Sequence, residues 1–193
     1  MIDIYHQEIN NMWYAVAIQD DEVFATAFSP KEQEALRHLL KNLPYNFPFQ
    51  VTEKPSHLLV ELLKTLKMIF DGKNVSHLNF KTNMDHLPNY MRRVLNYTSL
   101  IPIGYLATYG AIAKVAGGSP RSVGRAEASN PFPLLIPCHR VVRTGFSIGG
   151  YGLGEKVKLE LLQREDRGYK EARKLKIEDK ELALFPIKCL RKN

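Results

Sequence analysis

Residues 108–129, TYGAIAKVAGGSPRSVGRAEAS, decide the reading of this chain. Thr108 is a cap residue, and the stretch from it to about Val115 predicts one short helix. A second is predicted over about Pro120 to Ser129. The turn between them is Gly117-Gly118-Ser119. Helix, short glycine turn, helix is the layout of a helix-turn-helix. Many helical hairpins bind nothing, but the second helix has a telling composition. Arg121 and Arg125 are four apart and share a face, and Ser122, Gly124, Ala126, Ala128 and Ser129 are all small. A helix lined with small residues can approach another backbone closely, and its arginines can meet phosphates or enter a groove. A poorly packed surface helix accounts for this stretch equally well when it is taken alone.

The next stretch, Pro133-Leu134-Leu135-Ile136-Pro137-Cys138-His139-Arg140-Val141-Val142, carries the chemistry. Cys138 follows an apolar run that reads as buried, which puts it at the edge of the core. The thiolate is the reactive form, and a free thiol titrates at roughly 8.5 unless nearby cations lower it. His139 and Arg140 supply such groups locally. The competing reading is a packed structural cysteine, a common fate for a free thiol. Neighbouring side chains point to opposite faces of an extended segment, and in a turn they still diverge. A direct thiol–imidazole pair between Cys138 and His139 is therefore not expected, and a relay through one water is easier to build.

Pro137-Cys138-His139-Arg140-Val141 resembles the active-site signature of the O6-alkylguanine-DNA alkyltransferases. These are suicide DNA-repair proteins that take an alkyl group from guanine onto a cysteine. Asn130-Pro131-Phe132-Pro133 resembles the family's asparagine hinge, Gly149-Gly150-Tyr151-Gly152 its active-site loop, and Leu161-Leu162-Gln163-Arg164-Glu165 its Leu-Leu-x-x-Glu helix. The resemblance covers about residues 88–168. It implies an α+β fold: a ribonuclease-H-like sheet-and-helix domain over 1–85, and a mostly helical domain with a winged helix-turn-helix over 86–168. A charged extension over 169–193 follows.

The resemblance also implies roles. Cys138 is the nucleophile and alkyl acceptor, His139 the base acting through water, and Glu165 the group that orients His139. Tyr109 stabilises the guanine leaving group. Asn130 is the hinge that ties the recognition helix to the active-site segment. Arg121 is the finger that fills the space left by a flipped base, with Ser122, Arg125 and Ala126 beside it on the DNA-contacting helix. Pro133, Gly149, Gly150, Tyr151 and Gly152 form the base pocket. The implied reaction is one irreversible transfer per molecule from O6-alkylguanine, with O4-alkylthymine a further substrate to be tested. No cofactor and no metal are expected, and the partner is double-stranded DNA bound by a monomer. Three departures stand out: a short turn before Arg121, Asp166 where a glycine often follows the helix glutamate, and Ala128 where some members carry arginine.

Composition agrees with this reading without forcing it. Of 193 residues, 45% are hydrophobic and 24% charged, as in ordinary globular domains. No apolar run approaches the roughly 18–20 residues that span a bilayer, and the N-terminal residues lack the pattern of a signal peptide. A cytoplasmic protein without a membrane partner is expected. Two cysteines, Cys138 and Cys189, without a Cys-x-x-Cys pair fit a reducing compartment. The net charge of +7 favours a polyanionic partner, though weakly.

The N-terminal part reads as scaffold. Trp13–Ile18 and Val23–Phe28 predict a hairpin across the polar turn Gln19–Glu22. Ser29-Pro30-Lys31-Glu32 predicts a capped helix start, with Leu36, Leu39, Leu40 and Leu43 as its apolar face and Pro44 as its end. Tyr45–Pro55 reads as a loop, Leu58–Phe70 as a helix stopped at Gly72, and Val75–Thr82 as one more strand. His38, His57, His77 and His86 read as ordinary histidines. Later, Leu87, Met91, Val94 and Leu95 predict a helix broken at Ile101-Pro102-Ile103-Gly104, and Glu155–Arg167 predicts the last one, stopped at Gly168. A helix-turn-helix regulator, a non-catalytic alkyltransferase-like protein and a cysteine hydrolase are the alternatives. The first gives no reason for Cys138, His139 and Glu165 together, and the second lacks the cysteine. The third would want a separate histidine and an oxyanion hole.

Overall fold

The computed structural model describes residues 1–75 and 80–191. They divide into two compact units, Met1–Leu87 with Pro131–Leu135, and Pro88–Asn130 with residues from Ile136 onward. Among the described residues, no helix is long and apolar enough to cross a membrane.

The first unit is built on a meander. β1 (Ile2–Ile9), β2 (Met12–Gln19) and β3 (Glu22–Ser29) pair antiparallel in sequence. Asn10 and Asn11 make the first tight turn, and Asp20 and Asp21 the second, all four with positive φ. Two consecutive positive φ values give the turn twist that a two-residue hairpin requires, and Asn and Asp tolerate it. Two short strands pair in parallel at the edges, β4 (Phe49–Val51) on β1 and β5 (Lys81–Thr82) on β3. The order is β4-β1-β2-β3-β5.

Side chains alternate across the sheet. Ala15 and Ala17 cluster with Ala35 and Leu39 of α1 (Glu32–Lys41). Tyr14, on the other face, meets Phe28 and Phe70 of α2 (His57–Phe70). Ser56 caps α2 by accepting from the Leu59 backbone N–H. Ser29 does not cap α1. It closes β3, its Oγ accepts from the Lys31 N–H, and it bonds Glu34 rather than Glu32. The stretch read as a loop over Tyr45–Pro55 contains β4. The strand read over Val75–Thr82 is described only at its end, because residues 76–79, with His77, lie outside the described residues.

The second unit begins with α3 (Asn89–Ser99), β6 (Tyr105–Thr108), α4 (Tyr109–Ala116) and α5 (Pro120–Ala128). Thr108 caps α4 by accepting from the Ala111 N–H. Ser119 caps α5 in a reciprocal box with Ser122. Gly118 allows the turn: it has φ +81°, and a Cβ there would lie 2.7 Å from Tyr90 Oη and 2.8 Å from Ser122 Oγ. A single 3₁₀ turn, Cys138–Arg140, precedes β7 (Val141–Val142). α6 (Glu155–Glu165) ends two residues before the predicted stop, because Asp166 is already extended.

Beyond it, β8 (Arg173–Ile177) and β9 (Lys180–Pro186) form a hairpin in the charged extension. β9 pairs antiparallel with β6, giving the sheet order β7-β6-β9-β8. Leu106, Val142, Leu162 and Ile187 form a core cluster beneath that sheet. The architecture is α+β, as expected, with more strand in the second unit than its sequence suggests.

Candidate active site

Pro137 and the 3₁₀ turn set the geometry. The Cys138 N–H donates to the Ile136 carbonyl at 2.8 Å and the Arg140 N–H to the Pro137 carbonyl at 2.8 Å, so consecutive side chains fan out from a tight curve. Cys138 retains 7% of its surface, while His139 and Glu165 retain none.

His139 Nε2 lies 3.0 Å from Glu165 Oε1. Arg140 grips the same carboxylate as a fork, Nε to Oε2 and Nη2 to Oε1, both at 2.8 Å. Its Nη1 donates to the Ile101 carbonyl at 2.6 Å. Burial opposes charge on Glu165, but His139 and the Arg140 fork outweigh it and hold the carboxyl well below the usual range. Burial also holds the His139 ring below its ordinary value. An ionised carboxylate only accepts, so the neutral ring carries its hydrogen on Nε2. Nδ1 is left as a lone pair, buried and without a partner among the described residues. A base held in one tautomer by a carboxylate is the arrangement that activates a nucleophile.

His139 and Arg140 do not act on the resting thiol, contrary to the sequence expectation; the cation that favours its ionised form is Lys158. His139 and Arg140 both turn to Glu165. Burial pushes Cys138 up to about 12, the value it reaches when Glu127 is ionised and adds to the effect. Asn130 on the segment after α5 donates through Nδ2 to the Ile136 carbonyl at 3.0 Å and also hydrogen-bonds the thiol.

Tyr109, the first residue of α4, lies against the active-site loop. Gly149 has φ +71°, which strains an L-residue, and a Cβ there would stand 3.3 Å from the Tyr109 ring and 3.4 Å from its hydroxyl, a tight contact. Burial raises the Tyr109 hydroxyl to about 12, with Glu127 and Cys138 acting in the same direction. It therefore stays a donor. The Tyr151 hydroxyl is buried without a partner among the described residues, and burial and then Cys138 raise it too. Arg121 and Arg125 are exposed on α5. Ser122 is half-buried, with its hydroxyl in the cap and against Tyr90, and Ala126 is buried. Pro133 belongs to the first unit, where its carbonyl accepts from Thr26 Oγ1 at 2.8 Å.

Two residues at the site escaped the sequence reading. Lys158 of α6 is fully buried, and its Nζ donates to the Val141 carbonyl at 2.6 Å and the Gly150 carbonyl at 3.3 Å. It also lies 5.8 Å from the centre of the Tyr109 ring. Burial lowers it to about 8. Glu127 of α5 is buried, with one oxygen on Thr98 and the other without a partner among the described residues. Lys158 shares a helix face with Leu161, Leu162 and the site residue Glu165, and Glu127 shares one with the buried Val123. Among the described residues, no three His, Cys, Asp or Glu side chains group closely enough to hold a metal ion.

Comparison with known proteins adds an independent line. A family model described as "6-O-methylguanine DNA methyltransferase, DNA binding domain" matches residues 89–167. A methylated-DNA–protein-cysteine methyltransferase of Methanothermobacter thermautotrophicus is 43% identical over 111 residues, which are 58% of this chain and 63% of that relative. The chain thus spans under two thirds of that relative's length. One from Methanocaldococcus vulcanius is 31% identical over 163 residues, 82% of this chain and 94% of the relative. The crystal structure of O6-methylguanine-DNA methyltransferase from Pyrococcus kodakaraensis is similar with a TM-score of 0.64 and 26% identity, covering 86% of this chain and 99% of that one.

Proposed function

The chain belongs to the methylated-DNA–protein-cysteine methyltransferase family, and on that premise we propose that it repairs DNA by moving an alkyl group from O6 of guanine onto Cys138. The observation that carries the reading is the pair His139–Glu165, locked by Arg140, with an Nδ1 that has no partner among the described residues, on the residue that follows a buried thiol in the same 3₁₀ turn. In the step, the Sγ–C bond forms as the C–O6 bond breaks. The thiol proton passes through one water to His139 Nδ1. Burial holds the thiol well above its ordinary value, so proton removal accompanies attack rather than preceding it. The guanine oxyanion leaves toward the Tyr109 hydroxyl, which stays protonated. The product is a thioether, so each molecule reacts once.

An O6 atom stacked inside a duplex is out of reach, so the base must leave the stack, at a cost of a few kcal/mol. Arg121 would occupy the vacated space, with Arg125 on the phosphates. Gly149, Gly150, Tyr151 and Gly152 would wall the pocket. The N-terminal unit serves as scaffold, and the protein acts as a cytoplasmic monomer on double-stranded DNA without a cofactor. Intact-mass spectrometry after incubation with DNA containing O6-methylguanine tests this. The expected result is a gain of one methyl group, mapped to the peptide holding Cys138, and no gain in Cys138→Ala, which still binds DNA. An unchanged mass in folded, reduced protein that binds the DNA would leave a binding module instead.

A further inference from the structure

The relay leaves the buried carboxyl of Glu127 unused, and its surroundings determine its protonation. Glu127 keeps 7% of its surface and sits on α5, facing α3. Oε1 is hydrogen-bonded to Thr98 Oγ1, and Oε2 has no partner among the described residues. Thr98 Oγ1 also lies 2.9 Å from the Val94 carbonyl, the back-bond a threonine makes within its own helix. A hydroxyl carries one hydrogen. It cannot serve the Val94 carbonyl and a Glu127 carboxylate together. If that hydrogen goes to Val94, the second contact is satisfied only when the carboxyl is the donor. A charged carboxylate with a bare oxygen at this depth is also strongly disfavoured.

We propose, building on the alkyl-transfer reading of Cys138, that Glu127 is a neutral carboxylic acid donating to Thr98 in the active protein, so that it sets no negative charge against the Lys158 cation or against ionisation of the reacting thiol. It is a positioning residue, acting through Lys158 and the local field. The groups facing it are Thr98 from α3, Tyr109 from α4, Cys138 from the 3₁₀ turn and Lys158 from α6. Arg143 and Glu155 act on Lys158 in turn, with opposite signs. Ionised Glu127 would offset Lys158 and raise both Cys138 and Tyr109. Burial raises the carboxyl to about 7, which puts that change within the working range: the acid form prevails below it and the charged form above.

The test uses the full chain with Cys189→Ser, so that Cys138 is the sole thiol, and compares Glu127 with Glu127→Gln from about pH 6 to about pH 9. Gln is an isostere of the acid and keeps an N–H for Thr98. Two rates are read, alkylation of Cys138 by iodoacetamide and transfer from O6-benzylguanine. The rates should coincide at the acid end and separate above neutrality, with Glu127→Gln about three- to tenfold faster, up to one unit of thiol pKa. Superimposed profiles, or a Gln variant slower by the same factor at every pH, would overturn the assignment. Infrared spectra supply a second reading: a carboxylic-acid carbonyl band at neutral pH that vanishes in Glu127→Gln supports it, and no such band overturns it. If the iodoacetamide profiles separate while O6-benzylguanine modifies neither protein, the repair reading falls and the Glu127 assignment stands.

Discussion

A carboxylate that is buried and charged needs donors on both oxygens, and Glu165 has them from His139 and from both sides of the Arg140 fork. The arrangement makes a sharp prediction. Glu165→Gln keeps the shape but offers an N–H where an acceptor is needed. His139 loses its fixed tautomer, and Arg140 loses its countercharge and keeps one acceptor in place of two. Transfer should fall about 10²- to 10⁴-fold, the range for losing a positioned base, and stability by about 3–5 kcal/mol. Single-turnover kinetics and urea unfolding check the two, and an unchanged transfer rate would remove the base role from His139. The residues of this relay were legible in the sequence because the motif presents them as neighbours or at fixed spacing. Lys158 and Glu127 were not, since a lysine between Val157 and Leu159 and a glutamate between alanines look like solvent-facing helix residues. The signal that could have found them is helical spacing. Lys158 stands three, four and seven residues before Leu161, Leu162 and Glu165, and Glu127 stands four after Val123. A charged residue on a buried face needs a reason to be there.

At the scale of elements, helices with a capping residue were legible and short strands were not. Thr108 caps through its side chain and announces a helix start in the sequence, while the helix that Ser56 caps was legible from its leucine spacing. Strands β4 and β7 have three and two residues, too few for alternation to register. Ser29 misled for a related reason: a serine before a proline suits a cap, but the β3 ladder reached it first. The turn of the helix-turn-helix is the element most exposed to a single change. Gly118→Ala puts a Cβ into Tyr90 and Ser122 at a φ of +81°. Left-handed strain in an L-residue costs about 1–2 kcal/mol, and displacing Tyr90 breaks its bonds to the Gly117 carbonyl and Ser122. The variant should lose about 2–3 kcal/mol in urea unfolding and bind duplex DNA more weakly, while its transfer from free O6-benzylguanine falls far less. Equal losses on duplex and free base would mean the turn supports the catalytic segment and not the DNA-facing helix.

For the molecule as a whole, the largest gap between sequence and structure lies in the charged extension. Its eight lysines and arginines conceal an apolar alternation, because Leu182 and Leu184 sit every second residue between Glu181, Ala183 and Phe185. Those two leucines are buried, Ile187 joins the cluster of Leu106, Val142 and Leu162, and β9 supplies β6 with its antiparallel partner. Lys180 reaches back to the Val115 carbonyl at the end of α4 at 2.8 Å, and Arg173 lies over the rings of Tyr105 and Tyr169. The hairpin is thus part of the core that supports both the helix-turn-helix and β7, which follows the catalytic turn directly. Deleting everything after Gly168 exposes the faces of Leu106 and Val142 and removes three buried aliphatic side chains, each worth about 1.5–3 kcal/mol. That is comparable with the whole stability of a typical domain, about 5–15 kcal/mol. The truncated chain should therefore melt at least about 10 °C lower than the full chain, or precipitate, as followed by circular dichroism. Its transfer to Cys138 should be lost in parallel with its fold. A truncated chain that melts with the full one and still transfers would make the hairpin an appendage, and the catalytic unit would then end with α6.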